Sequence, residues 1–184
     1  MADERPNYDE ILRSIEEFAR RTIYTSLDEE TLGAIEDAKL EQAIVDFVIH
    51  KIGEDFDHEY ELVTALPAPI QDVYTTWVLE NEVENGGFNQ YFWNSSGQFA
   101  EEVSAGLDRM EAHAHADIVR NAMNTILAAG EAWGKFRRTG TLEAFSGSYD
   151  ESTLAELDRA FEEAGPLSPL RIRYIRRRPS AFVA

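Results

Sequence analysis

The sequence predicts an all-α fold, a single compact domain of several helices with an N-terminal helical extension. Apolar residues recur at spacings of three and four along almost the whole chain, and such spacing places them on one face of a helix. The chain has 184 residues, of which 43% are hydrophobic. This length is that of one domain, and this composition is enough to bury a core.

Four stretches in the first half of the chain have this helical spacing. Asp28 is a preferred residue type for a helix N-cap, and Pro67 and Pro69 are suited to open another helix. The Gly86–Gly87 pair ends that helix and allows a tight helix-to-helix turn. The apolar residues of the four stretches are Ile11, Ile15 and Phe18; Leu32 and Ile35; Ala43, Ile44, Phe47 and Val48; and Ile70, Val73, Tyr74, Trp77 and Val78.

Three further stretches are predicted to be helical in the second half. One lies near residues 98–112, and another lies near residues 115–129 and is stopped by Gly130. Their apolar residues are Val103, Leu107 and Met110; Ile118, Ala122 and Ile126; and, in the last stretch, Leu154, Leu157 and Phe161. We assign residues 1–184 to a single domain, with acidic N-terminal helices over 1–60 and the main core over 61–184.

Composition and motifs exclude several classes of function. The chain has no cysteine, so disulfides, thiolate metal sites and cysteine nucleophiles are excluded. No apolar run reaches the roughly 18 residues that cross a bilayer, and the N-terminus lacks the basic and apolar regions of a secretion signal, so we expect a cytoplasmic protein. No phosphate-binding glycine loop or nucleophile elbow is present.

The histidines do not predict a metal site. His113 and His115 would point about 200° apart on a helix, which is typical of ordinary surface histidines. Asp55 and His58 form a single D-x-x-H, whereas a helical di-metal site needs paired Glu-x-x-His motifs with two further glutamates. We therefore predict no catalytic residue, no metal and no cofactor.

The negative charge of the chain is concentrated in one half. The net charge is −18, and residues 22–108 hold nineteen acidic side chains against two basic ones, Lys39 and Lys51. Adaptation to a salty cytoplasm should spread charge more evenly than this. A surface of this sign repels nucleic acid and anionic membranes and attracts basic partners.

Two groups of carboxylates are candidates for a partner-binding surface. On a helix that starts at Asp28, residues seven apart lie close together, so Glu29 and Glu36, and likewise Glu30 and Asp37, would share one exposed face. The charge density is highest in the second group, which is Glu54, Asp55, Asp57, Glu59 and Glu61. From charge alone a solvated face is the favoured interpretation, although rows of carboxylates could also occupy the basic sites that meet DNA phosphates.

The last eighteen residues contain five arginines and no acid. The arginines alternate with apolar residues around Leu170, Ile172, Tyr174 and Ile175, which indicates a docked amphipathic segment rather than a loose basic tail. We expect this segment to pack against the acidic half of the chain. The arginines are Arg171, Arg173, Arg176, Arg177 and Arg178.

The most distinctive string is EVENGGFNQYFWNSSG, residues 82–97. It places amides and serines beside several aromatic residues, and buried amides need hydrogen-bond partners that fix neighbouring helices. A turn-and-network motif that specifies the fold is the favoured interpretation. The alternative is a small-molecule pocket or enzyme site lined by these groups, centred on Glu82, Asn85, Gln90, Tyr91 and Asn94.

This string resembles the signature of a bacterial family, formerly of unknown function, that includes a DNA-mimic protein. Its members carry a close match to E-V-x-N-G-G-F-x-Q-[FY]-F-x-N-S-S-G. The chain matches at Glu82, Val83, Asn85, Gly86, Gly87, Phe88, Gln90, Tyr91, Phe92, Asn94, Ser95, Ser96 and Gly97. The closing Tyr174, Ile175, Pro179 and Phe182 are also similar, so the resemblance spans roughly residues 60–184.

The resemblance implies an all-helical homodimer whose acidic surface imitates duplex DNA and blocks a DNA-binding transcription factor. The shared motif contains one acid, Glu82, so the mimic surface must lie elsewhere in the chain. We expect an acidic protein-binding module without enzymatic activity, which binds a basic DNA-binding protein and neither nucleic acid nor membrane. An acidic half that docks only its own Arg-rich end or a second subunit is a further interpretation.

Overall fold

The computed structural model describes residues 8–139, 141, 143, 144, 146, 147 and 154–184. These residues form helices and connecting turns, and no strand occurs among them. The predicted all-α fold class is therefore confirmed. None of the helices in this part of the chain is long and apolar enough to cross a membrane.

Five helices occupy the described residues of the first half of the chain. The N-cap predicted at Asp28 is confirmed, because the Thr31 N–H donates to Asp28 Oδ1 over 2.7 Å. A 3₁₀ turn, Phe56–His58, precedes the fourth helix. The helices are α1 (Tyr8–Ala19), α2 (Glu29–Ala34), α3 (Asp37–Ile52), α4 (Glu59–Thr64) and α5 (Ala68–Trp93).

Four helices with defined bounds follow in the second half. A 3₁₀ turn, Ser95–Phe99, leads into the first of them, and another, Pro179–Phe182, follows the last. The helices are α6 (Ala100–Arg109), α7 (His113–Thr139), α8 (Ala155–Glu163) and α9 (Ser168–Arg177).

Helix α5 lies at the centre of the fold. It contacts α3, α4, α6, α8 and α9, and most of its apolar side chains and several of its polar ones are buried. The chain end closes the fold, because Leu27 and Ala184 exchange two backbone hydrogen bonds of 2.8 and 3.0 Å. Phe182, buried beside them, packs edge-on against Tyr174.

The predicted helix from Asp28 through Asp37 is wrong. Ile35 has extended backbone angles (φ −74°, ψ 132°), so α2 ends before it and α3 begins at Asp37. Burial of both Leu32 and Ile35 against the core accompanies this break. The pairs Glu29 with Glu36 and Glu30 with Asp37 therefore do not share one helical face.

Two glycine positions interrupt long helices. Gly86 and Gly87 leave helical angles inside α5, and the helix resumes to Trp93, which confirms the predicted helix-to-helix turn. Gly130 (φ +50°) interrupts α7, but the helix continues to Thr139. The prediction that the helix stops at Gly130 is therefore confirmed for its first segment, and a second helical segment follows the kink.

Candidate acidic interface

The first predicted group of carboxylates is partly neutralised within the chain. Glu29 and Glu30 are exposed in the first turn of α2 and make no ion pair with another described residue. Glu36 lies 3.0 Å from the Lys39 ammonium, and Asp37 lies 2.7 Å from the Arg176 guanidinium. Only half of this group therefore keeps an unpaired negative charge.

The second predicted group remains largely free of cations. Glu54, Asp57 and Glu61 are exposed and have no ion pair to any residue in the described part of the chain. Asp55 Oδ1 accepts a hydrogen bond from His58 Nδ1 at 2.8 Å. Glu59 is half-buried and accepts a hydrogen bond from the Tyr74 hydroxyl at 2.6 Å.

Two further acids join this group from another helix. The Tyr60 hydroxyl donates to Glu102 Oε1 over 2.6 Å, and its ring stacks on Phe99 at 5.4 Å between centroids. The bond to Glu102 raises the pKa of Tyr60, and the nearby charges of Glu101 and Glu61 raise it further. The acidic patch is therefore defined as Glu54, Asp55, Asp57, Glu59, Glu61, Glu101 and Glu102.

Sequence reasoning missed Glu101 and Glu102. Both lie in the first turn of α6, where acids are favoured by the helix dipole. In the sequence they therefore indicate the start of a helix and not a binding surface. They reach α4 only because Tyr60 and Phe99 pack together in the folded chain.

Neutral donors hold two of the patch carboxylates in place. The phenols of Tyr60 and Tyr74 donate to Glu102 and Glu59, and burial raises the pKa of Tyr74. Because both phenols stay protonated at neutral pH, the bonds orient the carboxylates without cancelling their charge. An arginine in the same position would have neutralised the surface.

His58 is the titratable cation of the acidic patch. Its hydrogen bond to Asp55 raises its pKa, and the charges of Asp55, Glu61 and Asp57 add to this effect. Protonated His58 therefore lowers the negative charge of the patch. As the pH rises through the raised pKa of His58, the imidazolium deprotonates and the patch gains one unit of negative charge.

The Arg-rich C-terminal segment docks on acids outside the patch. Arg171 is fully buried, lies 2.5 Å from Glu41 and also bonds Glu80. Arg177 lies 2.8 Å from Glu111, and Arg173 lies 3.7 Å from the same carboxylate. The predicted docking is thus confirmed, and none of these contacts uses the acidic patch.

Arg176 accounts for the loss of charge near α2. Besides Asp37, its guanidinium donates to the carbonyl oxygens of Leu32 and Ile35 at 2.6 and 2.5 Å. These carbonyls lie at the helix break, so Arg176 satisfies backbone acceptors that α2 leaves open. The docked segment therefore stabilises the same break that separates Glu36 and Asp37 from Glu29 and Glu30.

The two glycines of the 82–97 motif have a structural role. Gly87 has φ +70°, a conformation that L side chains rarely adopt. A Cβ at Gly87 would come within 2.6 Å of Asp158 Oδ2. Asp158 accepts a hydrogen bond from the Phe88 N–H at 2.7 Å, and so it caps the resumed part of α5 from α8.

The remaining motif residues form a buried cluster and a polar network. Phe88, Tyr91 and Phe92 are buried, with Phe88 packed edge-on against Phe161 at 5.6 Å. Glu82 accepts hydrogen bonds from Gln90 (2.6 Å), Asn94 (2.9 Å) and the Ser96 hydroxyl (3.4 Å). These contacts are those expected of a motif that fixes the fold.

Four of the five alternative site residues, Glu82, Asn85, Gln90 and Asn94, line one open groove. Tyr91 is fully buried, whereas Asn85 and Ser95 are exposed. This shallow groove of about 680 Å³ runs over the motif, with Trp77, Glu82, Asn85, Gln90 and Asn94 among its lining residues. Ligand binding in this groove stays a prediction. The Glu82 carboxylate already accepts hydrogen bonds from three side chains of its own chain.

His115 differs from the surface histidine that was predicted. It is buried, its Nε2 lies 2.9 Å from the Gly165 carbonyl oxygen, and its ring packs edge-on against Phe161. His113 is exposed, with Nδ1 3.3 Å from Asp108. The described residues contain no group of three or more histidine and acidic side chains arranged to hold a metal ion.

Comparison with known protein families finds a match to more than half of the chain. A family model described as DMP19-like protein matches residues 64–178, which is more than half of the chain. The matched span contains α5 through α9, the 82–97 motif and the Glu101–Glu102 pair. It excludes α1, α2, α3 and the patch residues between 54 and 61. No curated protein matches the chain closely enough to count as a relative.

Proposed function

The chain belongs to the DMP19-like protein family, and from this premise we propose that its acidic patch imitates the phosphate surface of duplex DNA. The patch would occupy the basic surface of a DNA-binding protein and compete with DNA for it. Where that partner is a transcription factor, the chain regulates transcription. In this proposal it acts in the cytoplasm, and it acts as a homodimer, as the resemblance of residues 82–97 implies.

One observation carries the proposal: the acidic patch keeps its charge while four arginines of the C-terminal segment pair with other acids. Arg171, Arg173, Arg176 and Arg177 all pair with acids outside the patch. Among the described residues, the only ion pair made by a patch acid is that of Asp55 with His58. The arginines of the docked segment therefore do not neutralise the acidic patch, and its carboxylates stay available to a partner.

The physical basis is electrostatic complementarity. B-DNA carries one negative charge per roughly 1.7 Å of axis, and its binding proteins meet this charge with Lys and Arg. A dense set of carboxylates steers the same basic surface towards the chain and suppresses acidic partners. Since bonds from Tyr60 and Tyr74 fix two of the carboxylates, less side-chain entropy is lost when a partner binds.

Capture from cell extract followed by competition tests the proposal. The immobilised full chain should retain a basic protein that binds duplex DNA, and added duplex should displace that protein. Binding should weaken strongly between about 50 and about 500 mM NaCl, because contacts to phosphate-like charges are lost over this range. Reversal of Glu54, Asp55, Asp57, Glu59 and Glu61 to Lys should abolish capture without loss of helical circular dichroism.

A captured protein supports the proposal only if duplex DNA displaces it, if salt weakens its binding and if the Lys variant does not retain it. Retention that is indifferent to salt, or that persists when duplex DNA is in excess, would contradict the proposal. Retention by the Lys variant would also contradict it, because the patch would then not be the binding surface.

A further inference from the structure

Phe56 exposes its aromatic ring in the middle of the acidic patch. The residue is 57% exposed, and it begins the 3₁₀ turn between the patch residues Asp55 and Asp57. Its ring makes no aromatic stacking and no cation–π contact with any other described residue. A single exposed apolar residue is ordinary, so the significance of Phe56 depends on the charges around its ring.

Carboxylates surround this ring. Asp55 and Asp57 are its neighbours in the chain, so their Cα atoms lie about 3.8 Å from that of Phe56. In a 3₁₀ turn residues three apart lie in one row, which places Glu59 next to Phe56 along the row. The Tyr74 hydroxyl holds the Glu59 carboxylate. A cation on the face of the ring therefore has carboxylates on several sides.

These surroundings select a guanidinium as the occupant of the ring face. The face of a phenyl ring is negative and attracts cations, and the carboxylates around it add to this attraction. A guanidinium is planar and weakly hydrated, so it can stack on a ring while its N–H groups bond carboxylates in its own plane. The ammonium of lysine is compact and strongly hydrated. The site therefore fits an arginine side chain better than a lysine side chain.

The chain contains one contact of this kind within its own fold. Phe18 is 54% exposed, and the Arg21 guanidinium lies 3.6 Å from the centroid of its ring. The same guanidinium donates to both carboxylate oxygens of Asp46, from Nε at 2.5 Å and from Nη2 at 2.7 Å. Phe56 offers a ring of nearly the same exposure beside carboxylates, and no arginine from the described part of the chain lies on it.

We propose that Phe56 is an anchor for an arginine of the protein that binds the acidic patch. The guanidinium stacks on the ring and donates to the carboxylates of Glu59, Asp57 or Asp55. The inference rests on the proposed function and adds the side chain that the patch recognises, since aromatic rings and arginines often dominate the binding energy of protein interfaces. Phe56 lies outside the family-matched residues 64–178, so the match itself does not imply this contact.

Two peptides of equal charge test the anchor without knowledge of the natural partner. Capped tetra-arginine and tetra-lysine are titrated into the full chain by calorimetry at about 50 mM NaCl, where charge contacts are weakly screened. Phe56→Leu keeps the charge and the apolar character but removes the ring. It should lower the affinity for tetra-arginine about two- to fivefold, the range of an exposed cation–π contact, and the affinity for tetra-lysine by less. Phe56→Trp should bind tetra-arginine at least as tightly as the original chain, because Trp is the best cation–π ring.

Phe18→Leu is the matched control. Phe18 has nearly the same exposure as Phe56, lies outside the acidic patch and already carries Arg21 on its ring. The control should leave both peptide affinities unchanged, and circular dichroism should show that each variant keeps its helices. With tetra-arginine bound, NMR should show NOEs between the Phe56 ring protons and the methylene protons beside a guanidinium.

The captured DNA-binding protein gives a second measurement. Phe56→Leu should weaken its binding but leave the slope of log affinity against log salt unchanged, because no charge is lost. Replacement of Glu54, Asp57 and Glu61 by their amides removes three charges and should reduce that slope.

Equal losses for the two peptides in Phe56→Leu, or no loss for tetra-arginine, would overturn the anchor. Neither result affects the proposed function, which fails if duplex DNA does not displace the captured protein or if salt and patch substitutions leave its binding unchanged. A preference for tetra-arginine that depends on Phe56, together with a captured protein that DNA cannot displace, would support the anchor and contradict DNA mimicry.

Discussion

Gly87 connects the most distinctive motif of the sequence to the fold. Its positive φ and the position of Asp158 leave no room for a side chain, and Asp158 in turn caps the second part of α5. The sequence predicted that a helix ends at this glycine pair. The contact with α8, 70 residues away in sequence, carries no local signal and could not be predicted.

Replacement of Gly87 by alanine should lower the free energy of unfolding by about 2–4 kcal/mol, because the backbone would be strained and Asp158 displaced. Urea denaturation followed by circular dichroism measures the change. Gly33 is the matched control, because it is helical and has no atom within 4 Å of an added Cβ. Gly33→Ala should be neutral or stabilising by up to about 1 kcal/mol, and equal losses at both positions would refute this explanation.

His58 gives the acidic patch a measurable pH response. Its bond to Asp55 raises its pKa, so an NMR titration should place the midpoint above the ordinary value of about 6.5. The pair stabilises the fold below the unfolded-state pKa, and this contribution is lost as the pH rises through the folded-state pKa. Asp55→Asn should lower the midpoint towards the ordinary value, and an unchanged midpoint would contradict the assigned contact.

At the scale of elements, α9 is fixed by one buried arginine. Arg171 lies between Glu41 of α3 and Glu80 of α5. Arg171→Met should lower the free energy of unfolding by about 3–5 kcal/mol, since two acids would lose their buried cation. Chemical denaturation measures the loss.

The control lies on the same helix. Arg177 is exposed and pairs with Glu111 at 2.8 Å, so Arg177→Met should cost no more than about 1 kcal/mol. Similar effects of the two substitutions would mean that the docked segment is not anchored at Arg171.

The order of helices follows from local patterns, and their exact ends depend on tertiary packing. Apolar spacing and the cap at Asp28 suffice to place α2, α3 and α5. The break at Ile35 was not predictable, because it depends on burial of that residue and on bonds from Arg176. Gly130 likewise signals a helix end, yet the helix resumes after one residue with positive φ.

At the scale of the whole molecule, the sequence predicts how much charge the chain carries and roughly where. The density at residues 54–61 identifies most of the acidic patch. The contribution of Glu101 and Glu102, and the neutralisation of Asp37 by Arg176, depend on contacts between residues 42 or 139 positions apart. Such contacts decide which carboxylates remain available, and no periodicity reveals them.

Most of the acidic patch lies outside the residues that match the family. The matched span, residues 64–178, holds the 82–97 motif and the central helices, whereas five of the seven patch acids lie before it. The family match thus covers the central helices and the motif, whereas most of the acidic patch lies outside the matched residues. Whether a relative acts as a mimic therefore depends on its own charges.

The most direct test of the acidic patch compares two isosteric variants of the full chain. One is Glu54→Gln, Asp57→Asn and Glu61→Gln, and the control is Glu156→Gln, Glu162→Gln and Glu163→Gln on α8; all six side chains are exposed. Both variants remove three negative charges. The measurement is the affinity of each for the captured DNA-binding protein at about 50 mM NaCl, a salt concentration at which charge contacts are weakly screened. We predict a loss of at least about tenfold for the patch variant and little change for the control, whereas equal losses in both would show that only net charge matters and would contradict a defined DNA-mimic surface.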